Sequence, residues 1–141
     1  NRVRRQRQMC IRDRIKTVTF IWMQGEADAK AKNSEVYLNG LHGLRMQLEA
    51  DLGREDLGFV IGRLSDSGFY RRRDKKRVEN SDWKGIRDAQ EAFANSMERA
   101  VWIDTDDLNG EKNELHLIKP GGYETLGKRY VDAALKLVNG K

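Results

Sequence analysis

The sequence predicts an α/β fold with a parallel sheet, layered as α/β/α. Three short apolar runs rich in β-branched and aromatic residues alternate with three longer stretches of helical apolar spacing. Glycines and polar clusters punctuate the changes from one pattern to the other. The length of 141 residues bounds the chain to at most one ordinary domain.

The first expected strand is Thr17-Val18-Thr19-Phe20-Ile21-Trp22-Met23. It is nearly continuously apolar toward its end, as a strand covered on both faces would be. Gly25 ends it. A helix is expected from about Ser34 to Asp51, with Tyr37, Leu41, Leu44 and Leu48 on one stripe. Asn33 or Ser34 suits its N-cap and Gly53 its C-terminal stop. His42 lies beside that stripe and reads as a surface or boundary residue.

Gly58 to Leu64 forms the second expected strand, and residues 65–80 follow as a long polar loop without periodicity. Loops of that length in compact domains tend to be functional or mobile. Ser81 is expected to cap a helix from about Asp82 to Arg99. Its apolar face carries Trp83, Ile86, Phe93 and Met97, with Gln90 interrupting it. Ala100 to Asp104 is the third strand, and a loop over 105–119 leads to a last helix from about Gly121 to Val138. The stripe of that helix is Tyr123, Leu126, Tyr130, Ala133 and Leu137. Right-handed crossovers bring the C-terminal ends of parallel strands to one edge, where open α/β sheets bind ligands. Residues 24–28, 65–80 and 105–119 gather at that edge.

Charge and cysteine content narrow the function classes. The net charge is +5. Six arginines and one acid in residues 1–14 account for all of it, and the remainder balances at 21 basic and 21 acidic side chains. A second basic cluster at 71–77 is offset by acids elsewhere. The basic balance is therefore a property of the tail, and no nucleic-acid partner is expected. Residues 1–14 have no hydrophobic periodicity and are expected to be a disordered basic tail. They resemble translated adapter or assembly-junction sequence and are read as non-native, with a native basic arm as the alternative. The single cysteine, Cys10, offers neither an internal disulfide nor metal-ligand spacing. No run of about 18 apolar residues exists, so no membrane span is expected. Neither a metal nor another cofactor is expected.

Two clusters carry chemistry. Gln24-Gly25-Glu26 follows directly on the first strand. A glycine there lets the backbone turn and a ligand approach closely. The Gln24 amide is a donor of the kind that stabilises an oxyanion. The same three residues also suit a polar turn that serves only the loop backbone. His116 lies in the loop after the third strand, where an imidazole of near-neutral pKa can act as a general base. A place at the start of a helix is the plainer alternative for it.

Trp22-Met23-Gln24-Gly25-Glu26-Ala27-Asp28 resembles the W-x-Q-G-E-x-D block of the sialate O-acetylesterase-like carbohydrate esterases, a branch of the SGNH (GDSL-type) hydrolases. Further segments fall in that family's order. They are Phe59 to Ser65, the W-x-x-(I/V)-R-x-A-Q-like stretch Trp83 to Gln90, and the acidic turn Asp104-Thr105-Asp106-Asp107-Leu108. His116 with Gly121-Gly122-Tyr123 and Leu126-Gly127-Lys128-Arg129-Tyr130 resembles the C-terminal H…G-Y-x-x-L-G-x-R-(Y/F) block, with about one extra residue. The resemblance covers about residues 15–138 and implies a flavodoxin-like three-layer fold.

By this resemblance Gln24 belongs to the oxyanion hole, Gly25 and Glu26 shape and support it, and His116 is the general base. Asn113 stands where the family usually has the aspartate of D-x-x-H, with Glu114 adjacent. An amide can accept from the imidazole but cannot stabilise imidazolium by charge. The family's nucleophilic serine sits in a Gly-x-Ser-type block before the strand that leads to Gln24, and that block is not in this sequence. Of the five serines, Ser34 and Ser81 read as caps, Ser96 as helical, and Ser65 and Ser67 as followers of a later strand. The chain is therefore expected to be the C-terminal portion of an esterase domain, a partial domain inactive alone. The implied substrate is an O-acetylated carbohydrate, and the implied location periplasmic or secreted. The alternative function is a non-catalytic domain that binds acetylated glycans. Oligomeric state is open.

Overall fold

A computed structural model of the chain describes residues 15–71, 73–74, 76–109 and 120–140. The expected basic tail, Asn113, Glu114 and His116 lie outside the described residues. The elements run β1 (Thr19–Trp22), α1 (Glu26–Ala31), α2 (Ser34–Leu52), β2 (Gly58–Gly62), α3 (Ser81–Asn95), β3 (Ala100–Ile103) and α4 (Gly122–Asn139). The strands form one parallel sheet in the order β1-β2-β3, with Phe20 opposite Phe59 and Phe59 opposite Ala100. This is the α/β fold with a parallel sheet that the alternating patterns predicted.

Side-chain alternation along the strands divides the core into two layers. Phe59 and Ile61 face α1, α2 and α3, and pack with Tyr37, Leu41, Trp83, Ile86 and Phe93. Phe20 and Trp22 extend that layer from β1. On the opposite side α4 lays Leu126 and Tyr130 against Met23, Ile103 and Leu108. β2 lies between the layers and is buried along its whole length. Its continuous apolar sequence reflects that position.

Several expectations change. β1 is not covered on both faces: it is an edge strand, α4 packs over β2 and β3, and Ile21 stays 48% exposed. A short helix, α1, follows Gly25 where only a turn was expected. Its six residues bury only Ala29, so no apolar stripe announces it. Asn80, not Ser81, caps α3: its side chain accepts from the Trp83 N–H at 3.0 Å. Asn33, one of the two expected candidates, takes the N-cap position of α2 without a side-chain cap bond, while Ser34 is the first helical residue and its hydroxyl donates to Asp82 at 2.9 Å. α3 stops at Asn95, and Ser96 Oγ donates back to the Phe93 carbonyl. Tyr123 lies off the buried face of α4 and is 65% exposed. Gly53 ends α2 in the left-handed conformation, as its position predicted. His42 is half-buried at the core margin, its ring 5.1 Å from that of Phe93.

The stretch 65–80 is built, not irregular throughout. Asp66–Phe69 makes a 3-10 turn, and Tyr70 bridges Arg77 in antiparallel fashion. Gly68 lies so close to the Trp83 ring that a Cβ there would sit 1.9 Å from Cδ2. Within the basic cluster Arg71 pairs with Asp74 at 2.8 Å and Arg77 stacks over Phe69, so these charges are partly spent internally.

Candidate active site

The candidate residues Gln24, Gly25 and Glu26 follow the C-terminal end of β1, on the sheet edge shared with the ends of β2 and β3. Gln24 follows β1 and is half-buried, and Gly25 behind it is buried. Gly25 has φ of +156°, a conformation suited to glycine, and a Cβ there would sit 2.6 Å from Ile86 Cγ2. Its N–H donates to Glu26 Oε2 at 3.1 Å, so Glu26 ties down the turn that Gly25 makes. That satisfies one of the N–H groups that every helix start leaves open.

Gln24 is fixed at both ends. Its backbone carbonyl accepts from the Tyr37 hydroxyl at 2.5 Å and from Gln90 Nε2 at 2.8 Å. Two donors fill the two lone pairs of that oxygen. The Gln24 side-chain amide donates to Asp28 Oδ2 at 3.2 Å, four residues on in α1. An amide NH2 has a second hydrogen, and among the described residues no acceptor takes it. The Tyr37 hydroxyl in turn accepts from Trp22 Nε1 at 3.2 Å and from Gln90 Nε2 at 3.4 Å. Burial pushes the Tyr37 phenol above its ordinary pKa, against the opposing pull of the bonds from Trp22 and Gln90. It therefore remains a proton donor at neutral pH.

One face of α3 organises the neighbouring strand ends. Gln90 is fully buried, and its Oε1 accepts from the Leu64 N–H at 2.7 Å. Arg87 donates to the Leu64 carbonyl, and Trp83 Nε1 donates to the Ser65 carbonyl at 2.8 Å. Trp83, Arg87 and Gln90 lie at i, i+4 and i+7, on one helical face. Helical periodicity marks Gln90 only as an interruption of the apolar face, while Arg87 and Gln90 are the R and Q of the W-x-x-(I/V)-R-x-A-Q-like stretch. A polar residue on an otherwise buried stripe signals a bonded partner, because buried polar groups are paired.

Past β3, the turn at Asp104–Leu108 is held by three arginines. Arg87 grips Asp106 through two bonds of 2.8 Å. Arg63 reaches Glu91 at 2.6 Å, Asp104 at 2.8 Å and Asp106 at 3.1 Å. Arg129 makes two bonds of 2.7 Å to Asp107. Burial works to raise the Asp104 carboxyl, but the Asp106 N–H and Arg63 outweigh it and hold its pKa below the usual value. Asp106 Oδ1 also accepts from the Asp66 N–H at 2.8 Å, and Asn109 donates to Asp66 at 3.1 Å. These bonds join the ends of β2 and β3. Among the described residues no group of His, Cys, Asp and Glu is arranged to hold a metal ion, and no helix is long and apolar enough to cross a membrane.

The structure thus brings Gln24, Gly25 and Glu26 together and adds Asp28, Tyr37 and Gln90. The serine hydroxyls near the strand ends are engaged locally: Ser65 donates to Ser67 at 2.9 Å, and both are buried. The three-stranded parallel sheet with helices flanking it places the chain in the α/β class. The chain belongs to the carbohydrate esterase family of sialic acid-specific acetylesterases, whose family model matches residues 1–136. That span covers the Q-G-E block and the segment with His116. Comparison with curated proteins and with solved structures gave no match.

Proposed function

We propose that this chain supplies the oxyanion support and the general base of a serine-dependent esterase that removes O-acetyl groups from sialic acid. The observation that carries the reading is the state of Gln24: its carbonyl is saturated by Tyr37 and Gln90, and its amide keeps one N–H uncommitted among the described residues. Such a fixed donor is what a developing oxyanion needs. Membership of the acetylesterase family supports the substrate class.

In this reading a serine hydroxyl attacks the acetyl carbonyl while His116 takes its proton. The carbonyl oxygen gains charge, and Gln24 Nε2 donates to it. His116 then returns the proton to the departing sugar oxygen, leaving an acetyl-enzyme. Water, deprotonated by His116, releases acetate and restores the serine. Asn113 or Glu114 orients the imidazole. The serine is one that this sequence does not carry, so the 141 residues alone are expected not to turn over.

Two measurements test the reading. Turnover of 4-nitrophenyl acetate above a His116→Ala control contradicts the assignment of the nucleophile. NMR titration with an O-acetylated sialic acid should move the Gln24 side-chain amide and the His116 ring more than its de-O-acetylated counterpart does. Equal shifts with both sugars contradict recognition of the acetyl group. Asn113 favours a second reading, in which the domain holds acetylated glycans without hydrolysis. An unbroken frame with a Gly-x-Ser block before Ile15 decides for the enzyme.

A further inference from the structure

The arrangement around Gln24 carries one step beyond the esterase reading, on which it rests. We infer that Tyr37 and Gln90 are positioning residues for Gln24, clamping its backbone carbonyl so that the side-chain amide is presented at a fixed place and angle. Three observations lead there. The two donors come from α2 and α3, elements separated in sequence, and meet on one oxygen at 2.5 Å and 2.8 Å. Gln90 also bonds the Leu64 N–H at 2.7 Å, so the clamp is referenced to the end of β2. Both clamping side chains are buried, Tyr37 at 8% exposed and Gln90 at 0%, so neither is itself placed to meet the sugar.

The consequence is geometric. An amide at the end of a flexible side chain stabilises an oxyanion only if it is already in place when charge develops. Asp28 fixes the far end of Gln24, and the clamp fixes the near end. Loosening the near end lets the Gln24–Gly25 peptide rotate, and the amide moves with it. Tyr37 and Gln90 thus act through Gln24 and touch no reacting atom.

The test uses the full chain and two separate readouts. Tyr37→Phe removes one donor with little change in shape. Gln90→Glu, read at alkaline pH where its carboxyl is ionised, keeps the acceptor for Leu64 and removes the other donor, and it stands in if Tyr37→Phe does not fold. Phe93→Leu is the control, a core change in the same apolar cluster without a bond to Gln24. The first readout is the Gln24 carbonyl-carbon and side-chain amide resonances. They are expected to move in Tyr37→Phe and Gln90→Glu and to stay in Phe93→Leu. The second is the preference for O-acetylated over de-O-acetylated sialic acid, expected to fall about fivefold with loss of one hydrogen bond's worth of positioning. Resonances that stay put in the clamp variants, or that move as far in Phe93→Leu, overturn the inference. So does an unchanged preference in both clamp variants. If the unmodified chain shows no acetyl preference, the esterase reading fails, while the resonances still decide whether the clamp exists.

Discussion

Arg87 and Asp106 form a two-pronged ion pair, both bonds 2.8 Å long, that fastens α3 to the turn after β3. The Arg87 side chain is 11% exposed and that of Asp106 28%. Removing one partner leaves the other charge partly buried, which is the costly half of such a pair. Arg87→Ala is therefore expected to lower stability by about 2–3 kcal/mol, below the fully buried range because Asp106 keeps Arg63 and some solvent. Arg87→Lys should recover only part of it, since one ammonium cannot reproduce the paired geometry. Urea denaturation of the three proteins measures both effects. A loss within about 0.5 kcal/mol for Arg87→Ala is the size of an ordinary surface change and would show the pair to be dispensable.

Gly25 should tolerate no side chain. Its φ of +156° disfavours an L-residue, and the added Cβ would meet Ile86 Cγ2 at 2.6 Å. Gly25→Ala is expected to cost about 2–4 kcal/mol, from backbone strain and overpacking together. A thermal melt reads this as a fall on the order of 10 °C or more. An unchanged midpoint would mean that the turn relaxes freely.

Tyr130 is half-buried, its hydroxyl oxygen is buried without a hydrogen-bond partner among the described residues, and it lies against Gly62. Burial pushes its pKa up to about 12. A raised folded pKa means the folded state holds its proton longer than the unfolded chain, where tyrosine ionises near 10. Stability is therefore full below about pH 10 and falls as pH rises toward 12. Tyr130→Phe should remove this contribution to alkaline loss and cost no more than about 1 kcal/mol at neutral pH, because no bond is broken. Denaturation at pH 7 and at pH 11 compares the two proteins.

Asp56 is held by Arg54 at 2.6 Å and 2.7 Å, and the hydrogen bond from that guanidinium lowers its carboxyl to about 2. The sign is opposite to that of Tyr130. A depressed folded pKa contributes stability above the ordinary value near 3.8, and the contribution is lost as pH falls toward 2. Asp56 is exposed and Arg54 half-buried at the surface, so the effect on stability should be small and sensitive to salt. A carboxyl-carbon NMR titration should find Asp56 ionising well below the ordinary aspartate value, and Arg54→Ala should return it to the usual range.

The strands were legible because Phe59-Val60-Ile61 and Val101-Trp102-Ile103 are short apolar runs of a kind that sheets require. The exposure of Ile21 was not, since coverage depends on which strands α4 crosses, a tertiary fact. The six-residue α1 escaped because one buried alanine makes no stripe. Of the site, the Gln24-Gly25-Glu26 turn was visible as an abrupt polar change after an apolar strand. Tyr37 was visible only as a stripe residue, and Gln90 as a flaw in one and as the last position of the W-x-x-(I/V)-R-x-A-Q-like stretch. Their roles depend on partners 13 and 66 residues away, beyond any local pattern.

The role proposed for Gln24 is recognition of the acetyl carbonyl. Calorimetric titration of the chain and its Gln24→Ala variant, each with O-acetylated and de-O-acetylated sialic acid, tests it most directly. The unmodified chain is expected to prefer the acetylated sugar, and Gln24→Ala to lower that preference about fivefold, the worth of one hydrogen bond. A preference that survives Gln24→Ala unchanged, or that is absent from the unmodified chain, would contradict it.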